Sequence, residues 1–468
     1  MKTTIIPSRW LGDTGRRLDP GPYLSGAIEA KEVLRLLKVK KERLIDLTSG
    51  HDGGIFNGPQ FSRNYVDSPA YGVPFLGSSS MLLADLSHVP LLRRKDAESN
   101  KLKHLRLEVG MTLISCSGTI GRMVYTRPDM AGKWSSQHVM KVAPDPEKIP
   151  PGYLYPFLSS RFGVPMVTSS TYGAIIQHIE PEHLHELPVP MLSEDVMVQT
   201  HELVRKAAEL RSAARVRLAK ARSMICSELG ISPLRPRYSY QAPDSFHVRS
   251  GLLRSRMDAE HFASWNADAA TQIASALAAV SKPLREIAEV FIPDIFKRRF
   301  AGSAEFGVPY HTGKDVYMLE PKADKFLVSR LAMTGKLIIR KGMIVVQDSG
   351  QVGGLIGRAT LVGKSLDNTS CTNNMVRISA HDSDDVGFLY AFLASDTGYR
   401  LVIRQAAGSS IPHLEQNRIG ALRIPWPSRE IRLRFNAIVA EALHEQSVAD
   451  EYSQEATSLV EDSMMETC

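Results

Sequence analysis

The residues best placed to do chemistry fall into a few small groups, and each stops short of the reaction it suggests. Gly357 to Ser365 ends in Gly363-Lys364-Ser365, like a phosphate-binding loop, but five residues rather than four separate Gly357 from Gly363. The extra residue carries the lysine away from the phosphates. Gly350, Gly353, Gly354 and Gly357 are dense without following G-x-G-x-x-G. Pro150-Pro151-Gly152-Tyr153 has the composition of an amino-methyltransferase tetrapeptide, yet Ile149 stands where an acidic residue or Asn is required. Pro293-Asp294 followed by Lys297 begins like a metal-dependent nuclease, with no acidic-x-Lys pair on a following strand. His178, His183 and His185 cluster, but the related stretch later in the chain keeps only His413, with Arg418 and Gly420 at the other places. A zinc site would not survive in one copy alone. No catalytic centre and no metal site is therefore expected.

These groups sit in a sequence that states its pattern twice. Gly72-Val73-Pro74-Phe75 returns as Gly307-Val308-Pro309-Tyr310. Val109-Gly110-Met111 with Ser117-Gly118-Thr119-Ile120-Gly121 returns as Lys341-Gly342-Met343 with Ser349-Gly350-Gln351-Val352-Gly353. Gly152 to Leu158 returns at Gly387 to Leu393, Ile176 to Glu180 at Ile411 to Glu415, and Leu187 to Pro190 at Leu422 to Pro425. The last three pairs share one offset, and Arg17-Leu18-Asp19 loosely matches Arg256-Met257-Asp258. Such a long period excludes solenoid repeats. Each copy reads as a mixed α and β globe. Ala27 to Val39 predicts a helix, Thr112 to Cys116 and Met123 to Thr126 predict a hairpin, and Leu337 to Gln347 predicts strand in the second copy. Pro151 to Ser160 and Val386 to Ser395 predict short helices with a buried aromatic face, and Gly173 and Gly408 predict loops. Pro188 and Pro190, then Pro425 and Pro427, mark the exit from each globe.

After each globe comes a long run without Gly. In Glu194 to Leu229 the residues Leu203, Ala207, Leu210, Ala214, Leu218, Ala221 and Ile225 make the stripe of one helix, about 54 Å long at about 1.5 Å per residue. Ser193 caps it, and Gly230 and Pro233 stop it. From Arg429 the stripe returns at Ile431, Phe435, Ile438, Ala442, Ala449, Tyr452, Ala456 and Leu459. The first run is basic (Arg205, Lys206, Arg211, Arg215, Arg217, Lys220, Arg222) and the second acidic (Glu441, Glu445, Asp450, Glu451, Glu455, Glu461, Asp462). Small residues in the seam and opposite flanking charge predict an antiparallel, coiled-coil-like pair. The expected domains are 1–192, a long helix in 193–231, a second globe in 232–428 with a linker at 232–244, and a second long helix in 429–468.

The totals agree with an ordinary globular chain of 468 residues, 43% hydrophobic and 23% charged. No apolar stretch approaches the roughly 18 residues of a membrane span, and the first residues lack a signal-peptide pattern. Cys116, Cys226, Cys371 and Cys468 are scattered without a CxxC, which points to a reducing, cytoplasmic setting. A net charge of +7 is compatible with nucleic acid without requiring it.

The order of elements is more specific than any one motif. A Gly118-Thr119-Ile120-Gly121-Arg122 hairpin leads to the Gly152-to-Leu158 helix, then Tyr172-Gly173-Ala174-Ile175-Ile176-Gln177-His178-Ile179. Leu187-Pro188-Val189-Pro190 and a long helix follow, and the order then recurs. It resembles the specificity subunit of type I restriction–modification systems over essentially the whole chain. The resemblance implies an α+β fold with two tandem target-recognition domains in pseudo-twofold arrangement, separated by two long antiparallel helices. Each domain would read one half of a bipartite asymmetric target in double-stranded DNA. The helices would set the spacing and hold two methyltransferase subunits, which would carry S-adenosylmethionine, with cleavage left to a motor-nuclease subunit. The chain itself would be non-catalytic and bind no cofactor. Two other readings predict different outcomes: a recognition subunit of a phage-defence methyltransferase without a type I nuclease, and an adaptor whose globes bind protein.

Chemistry then nominates residues. Arg93, Arg94, Lys95, Lys101, Lys103 and Arg106 in the first globe, and Lys297, Arg298 and Arg299 in the second, suit phosphates. Forked donors and amides suit base edges. Those residues are Arg122, Gln137, His138 and Gln177 in the first globe, with Gln351, Arg358, Asn373 and Asn374 in the second. Tyr172 and Ser170 stand against Ala407 and Ser409 at matched, diverged places. Arg122 pairs with either Gly354 or Arg358, because the second hairpin carries an insertion.

Overall fold

The computed structural model describes residues 5–8, 21–169, 178–239, 244–254, 256–276, 280–408 and 410–467. The chain is α+β, and its sequence repeat is a repeat of structure. It divides into two compact units, residues 1–212 with 448–468 and residues 213–447. Each unit thus combines a globe with part of both long helices, an allotment that chain order alone does not reveal. Arg17-Leu18-Asp19 lies outside the described residues.

In the first unit, β1 (Lys41–Arg43) pairs antiparallel with β10 (Pro188–Pro190), so the proline-rich exit is itself a strand. One sheet has the order β2 (Ile55–Phe56), β9 (Val139–Val142), β6 (Thr112–Ser115), β7 (Met123–Tyr125). A second has the order β3 (Tyr65–Val66), β5 (Leu91–Arg93), β4 (Gly72–Leu76), β8 (Trp134–Ser135), in which β4 and β8 run parallel. The second unit repeats every step. Here β11 (Ser281–Pro283) pairs with β21 (Arg423–Pro425). One sheet is β12 (Ala288–Phe291), β20 (Met375–Ala380), β17 (Ile344–Gln347), β18 (Ala359–Leu361). The other is β13 (Phe300–Ala301), β15 (Phe326–Val328), β14 (Gly307–His311), β19 (Thr369–Cys371), β16 (Ile338–Ile339), with β14 and β19 parallel. In the first unit the place of β16 is taken by a single bridge from Arg106 to Trp134. The run Leu337 to Gln347 is therefore two strands in two sheets. The chain crosses between them at Gly342, whose φ of 87° favours glycine, as it does at Gly110 with φ 95°.

The short aromatic helices, Pro151–Ser159 and Val386–Ala394, dock on the long helices through their glycines. The Gly152 N–H donates to His201 Nδ1 at 2.9 Å, and the Gly387 N–H donates to Asn436 Oδ1 at 3.0 Å. His201 and Asn436 stand at matched places of the two long helices, Glu194–Glu228 and Arg429–Glu466. A ring nitrogen that accepts a hydrogen bond must be unprotonated, and burial pushes the His201 pKa below the usual imidazole value, with Glu202 opposing and Arg205 assisting. Because the folded value lies below the unfolded one, this contribution is complete above about pH 6.5 and is lost as pH falls through the folded value. Thermal melts between pH 7 and 5 should show the first unit weakening on acidification. His201→Asn, which borrows the second copy's non-titrating acceptor, should flatten that dependence. An unchanged slope in this variant would contradict the assignment.

The seam of the long helices carries a small residue every heptad among larger buried ones such as Ile225, Phe435 and Val460. Ala207, Ala214 and Ala221, then Ala442, Ala449 and Ala456, recur every heptad and are at most 1% exposed. Within the first unit Arg211 reaches Asp450 at 2.9 Å. Within the second, Arg217 reaches Glu445 at 2.9 Å and Glu441 at 2.7 Å, and Arg434 reaches Glu228 at 2.6 Å. Numbers rise along one helix as they fall along the other, so the two segments are antiparallel in that unit. Charge matching is narrower than the sequence predicts. Arg205 pairs with Glu202 and Glu209 of its own helix rather than with the acidic run.

Candidate nucleic-acid interface

Three loops converge at the same end of the first sheet in each unit. In the first they are the hairpin turn Ser117–Gly121, the segment Ser136-Gln137-His138 that leads into β9, and the chain around His178. Ser117 bridges His178, the Cys116 N–H donates to the His138 carbonyl at 3.0 Å, and the His138 and His178 rings lie 6.3 Å apart. In the second unit Ser349 bridges His413, and the Asp348 N–H donates to the Asn374 carbonyl at 3.2 Å. Here the loop leading into β20 is Thr372-Asn373-Asn374. The ladder also settles the counterpart of Arg122. The Ser115 N–H donates to the Arg122 carbonyl and the Gln347 N–H to the Arg358 carbonyl, each just after a glycine with φ 75°. Arg122 matches Arg358, and the insertion lies inside the turn.

The loops thus bring together Arg122, Gln137 and His138 in one unit, and Gln351, Asn373 and Asn374 in the other. Their side chains are differently committed. Gln137 Oε1 accepts from Arg63 at 3.0 Å, and Gln351 Nε2 donates to the Ser410 carbonyl at 2.7 Å. The Arg358 guanidinium lies 3.9 Å above the Tyr399 ring, a packed position that holds it against the protein. Burial first, then Arg63 and His178, lowers the His138 pKa, so its imidazole acts as a neutral donor or acceptor rather than a cation. Tyr172, Gln177 and Ser409, with Ser170 and Gly173, lie outside the described residues.

The phosphate candidates sit apart from these loops, on the second sheet. Arg94, Lys103 and Arg106 line a cleft of about 800 Å³ with Trp134 and the stacked rings of His51 and His104. Arg93 is bound by Asp96 at 2.7 and 3.0 Å, and its hydrogen bonds hold that carboxyl below its usual range. Arg94 meets Glu98 at 3.5 Å and the Gly72 carbonyl at 3.1 Å. These two therefore bring their own counter-charge or ties. Lys95 is exposed, Lys101 donates to the Gln60 carbonyl at 3.1 Å, and Arg106 lies 5.9 Å from the Trp134 ring centre. Lys297, Arg298 and Arg299 are exposed, with Arg298 5.9 Å from the Tyr310 ring centre. Among the described residues no three His, Cys, Asp or Glu side chains are grouped to hold a metal, and no helix is long and apolar enough to cross a membrane.

Solved specificity subunits are similar to this chain. The S subunit of a type I restriction-modification system from M. genitalium is 14% identical, with 92% of this chain and 96% of that chain covered at a TM-score of 0.34. The HsdS subunit from Thermoanaerobacter tengcongensis is 12% identical, covering 91% and 96% at 0.27. A chain from a structure of complex assembly and conformational transition in a type I R-M system is 11% identical, covering 91% and 97% at 0.26. No protein-family model and no curated protein matches the sequence.

The structure adds three residues to the sequence-derived set. Arg63 lies 5.8 Å from the Phe75 ring centre, matching Arg298 over Tyr310. Lys141 and Arg377 occupy one register in the two copies, opposite Phe56 and Leu113 in one and Phe291 and Val345 in the other. Both are fully buried beneath the loop that leads into their strand. Arg377 donates to the carbonyls of Met375 at 3.0 Å and of Cys371 and Thr372 at 3.2 Å, whereas Lys141 donates to the Ser136 carbonyl at 3.4 Å and lies 5.7 Å from the Phe56 ring centre. A charged residue at matched places in two apolar strands was the available sequence signal.

Proposed function

We propose that the chain is a sequence-specific DNA-recognition subunit of the type I restriction–modification kind, without catalysis of its own. In this reading domains 1–192 and 232–428 each recognise one half of a bipartite target. The long helices 193–231 and 429–468 set the separation and dock two methyltransferase subunits, which bring S-adenosylmethionine, in the cytoplasm. A motor-nuclease subunit would supply cleavage. One observation carries the proposal: the same three loops meet in both copies, yet they present Gln137 and His138 in one and Asn373 and Asn374 in the other. A matched frame with exchanged amide and imidazole side chains is what two different half-sites require, since base edges are told apart by their donors and acceptors. Each long helix contributes residues to both units, as a helix that links two recognition domains would.

Methylome sequencing with and without the gene tests the proposal. Loss of one bipartite adenine-methylated motif is expected. An unchanged methylome would remove the recognition role, and metal-dependent cleavage by the purified chain alone would replace it with a nuclease.

A further inference from the structure

We infer that Arg63 reads a guanine in the half-site of the first unit, with Gln137 as the buttress that aims it, and that Gln137 is not an adenine reader. This rests on the recognition role proposed above. A guanidinium only donates, so the 3.0 Å contact obliges the Gln137 amide to turn its oxygen toward Arg63. One lone pair of the oxygen is then engaged and its direction is set by the guanidinium, which leaves the second lone pair and the NH2. Adenine recognition by an amide needs the oxygen and the NH2 aimed together, at the N6 amino group and N7, and here the oxygen is aimed at Arg63 instead. Arg63 has the complementary property. It presents further N–H donors, and guanine offers O6 and N7 as paired acceptors in the major groove.

The surroundings fix the fork. Arg63 lies 5.8 Å from the centre of the Phe75 ring, which is itself buried against Phe61 at 6.1 Å and Tyr65 at 6.2 Å. Gly58 lets the segment carrying Arg63 lie against the loop, since a Cβ there would come within 3.2 Å of Gln137 Cα. Arg93 and Arg94 meet carboxylates, whereas Arg63 meets none among the described residues and is exposed. Its charge is thus available to a ligand and its plane is set in advance, which lowers the cost of ordering it on binding. The second copy marks the contrast. Arg298 keeps the place over a ring, at Tyr310, but the loop residue matching Gln137 is Asn373, one methylene shorter, and no hydrogen bond of its side chain is made among the described residues.

The test uses the assembled methyltransferase complex with the full chain, read by methylome sequencing. The wild-type motif should hold a guanine at one position of the half-site that belongs to the first unit. Arg63→Ala should relax that position to any base, with about a 10- to 100-fold loss of discrimination, and leave the other half-site unchanged. Gln137→Met, which keeps the bulk and removes the amide oxygen, should relax the same position more weakly. A thermal melt of each variant separates this from unfolding, and Arg63→Lys, which keeps the charge without the fork, should behave like Arg63→Ala. Uniform loss of methylation at every site, or an intact motif in Arg63→Ala, would overturn the inference, as would relaxation at an adenine by Gln137→Met alone. A wild-type complex that leaves no methylated motif would instead remove the recognition role itself.

Discussion

Arg377→Met should destabilise the second unit by about 3–5 kcal/mol, whereas Lys141→Met should cost the first unit little or stabilise it. The two side chains hold one register, but their bonding differs. Removing the Arg377 guanidinium strands the carbonyls of Met375, Cys371 and Thr372 in a buried place, and each unsatisfied group costs about 1–3 kcal/mol. It also releases the loop that carries Asn373 and Asn374, so recognition by that unit should fail before the fold does. Among the described residues Lys141 makes one long hydrogen bond, and burial pushes its pKa down to about 7. A buried ammonium so weakly compensated gains little over an apolar side chain of similar volume. Its pH dependence has a definite sign. Between about pH 7 and 10.5 the unfolded chain binds the lysine proton and the folded chain does not, so stability rises with pH across that window. Lys141→Met should abolish this slope. Calorimetry of both variants across pH checks the pair, and equal losses from the two substitutions would contradict the account.

Gly387→Ala is the second large effect expected. The added Cβ would lie 2.4 Å from Asn436 Cα and 2.9 Å from the Phe435 carbonyl oxygen, both backbone atoms of the long helix. No rotamer change relieves a clash with backbone. The aromatic helix must therefore retreat, which breaks the Gly387-to-Asn436 hydrogen bond and loosens the packing of Phe388 on Phe435, whose ring centres are 5.6 Å apart. A loss of about 3 kcal/mol or more follows from overpacking of this kind. Gly152→Ala should act alike in the first unit, where the Cβ would meet the His201 carbonyl oxygen at 2.8 Å. Hydrogen exchange should localise each loss to the altered unit. Protection lost equally in both would argue against this docking.

Much of the fold was legible because the sequence is written twice. The matched runs Gly152 to Leu158 and Gly387 to Leu393 mark a short helix with a buried aromatic face in each copy, and heptad alanines mark the close seam. The loops carrying Gln137 and Asn373 were found through the type of residue that base edges demand. What failed to show had physical reasons. The β-branched run Leu337 to Gln347 looks continuous because propensity does not register a change of sheet. Lys141 and Arg377 were hidden because Val139 to Val142 and Met375 to Ile378 are buried on both faces, so alternation carries no signal there. Arg63 was missed as a lone cation in Pro59-Gln60-Phe61-Ser62-Arg63, whereas its counterpart Arg298 stood out between Lys297 and Arg299. Arg358 carries the fork that its residue type suggests, and the structure stacks it on Tyr399 at 3.9 Å.

The most direct measurement of the central claim is the methylated motif written by a hybrid chain in which the second globe, residues 232–428, is replaced by that of a protein with the same repeated order of elements. If each globe reads its own half-site, one half of the bipartite motif changes while the other half and the spacing between them stay as they were. A motif altered in both halves, or in neither, would contradict it.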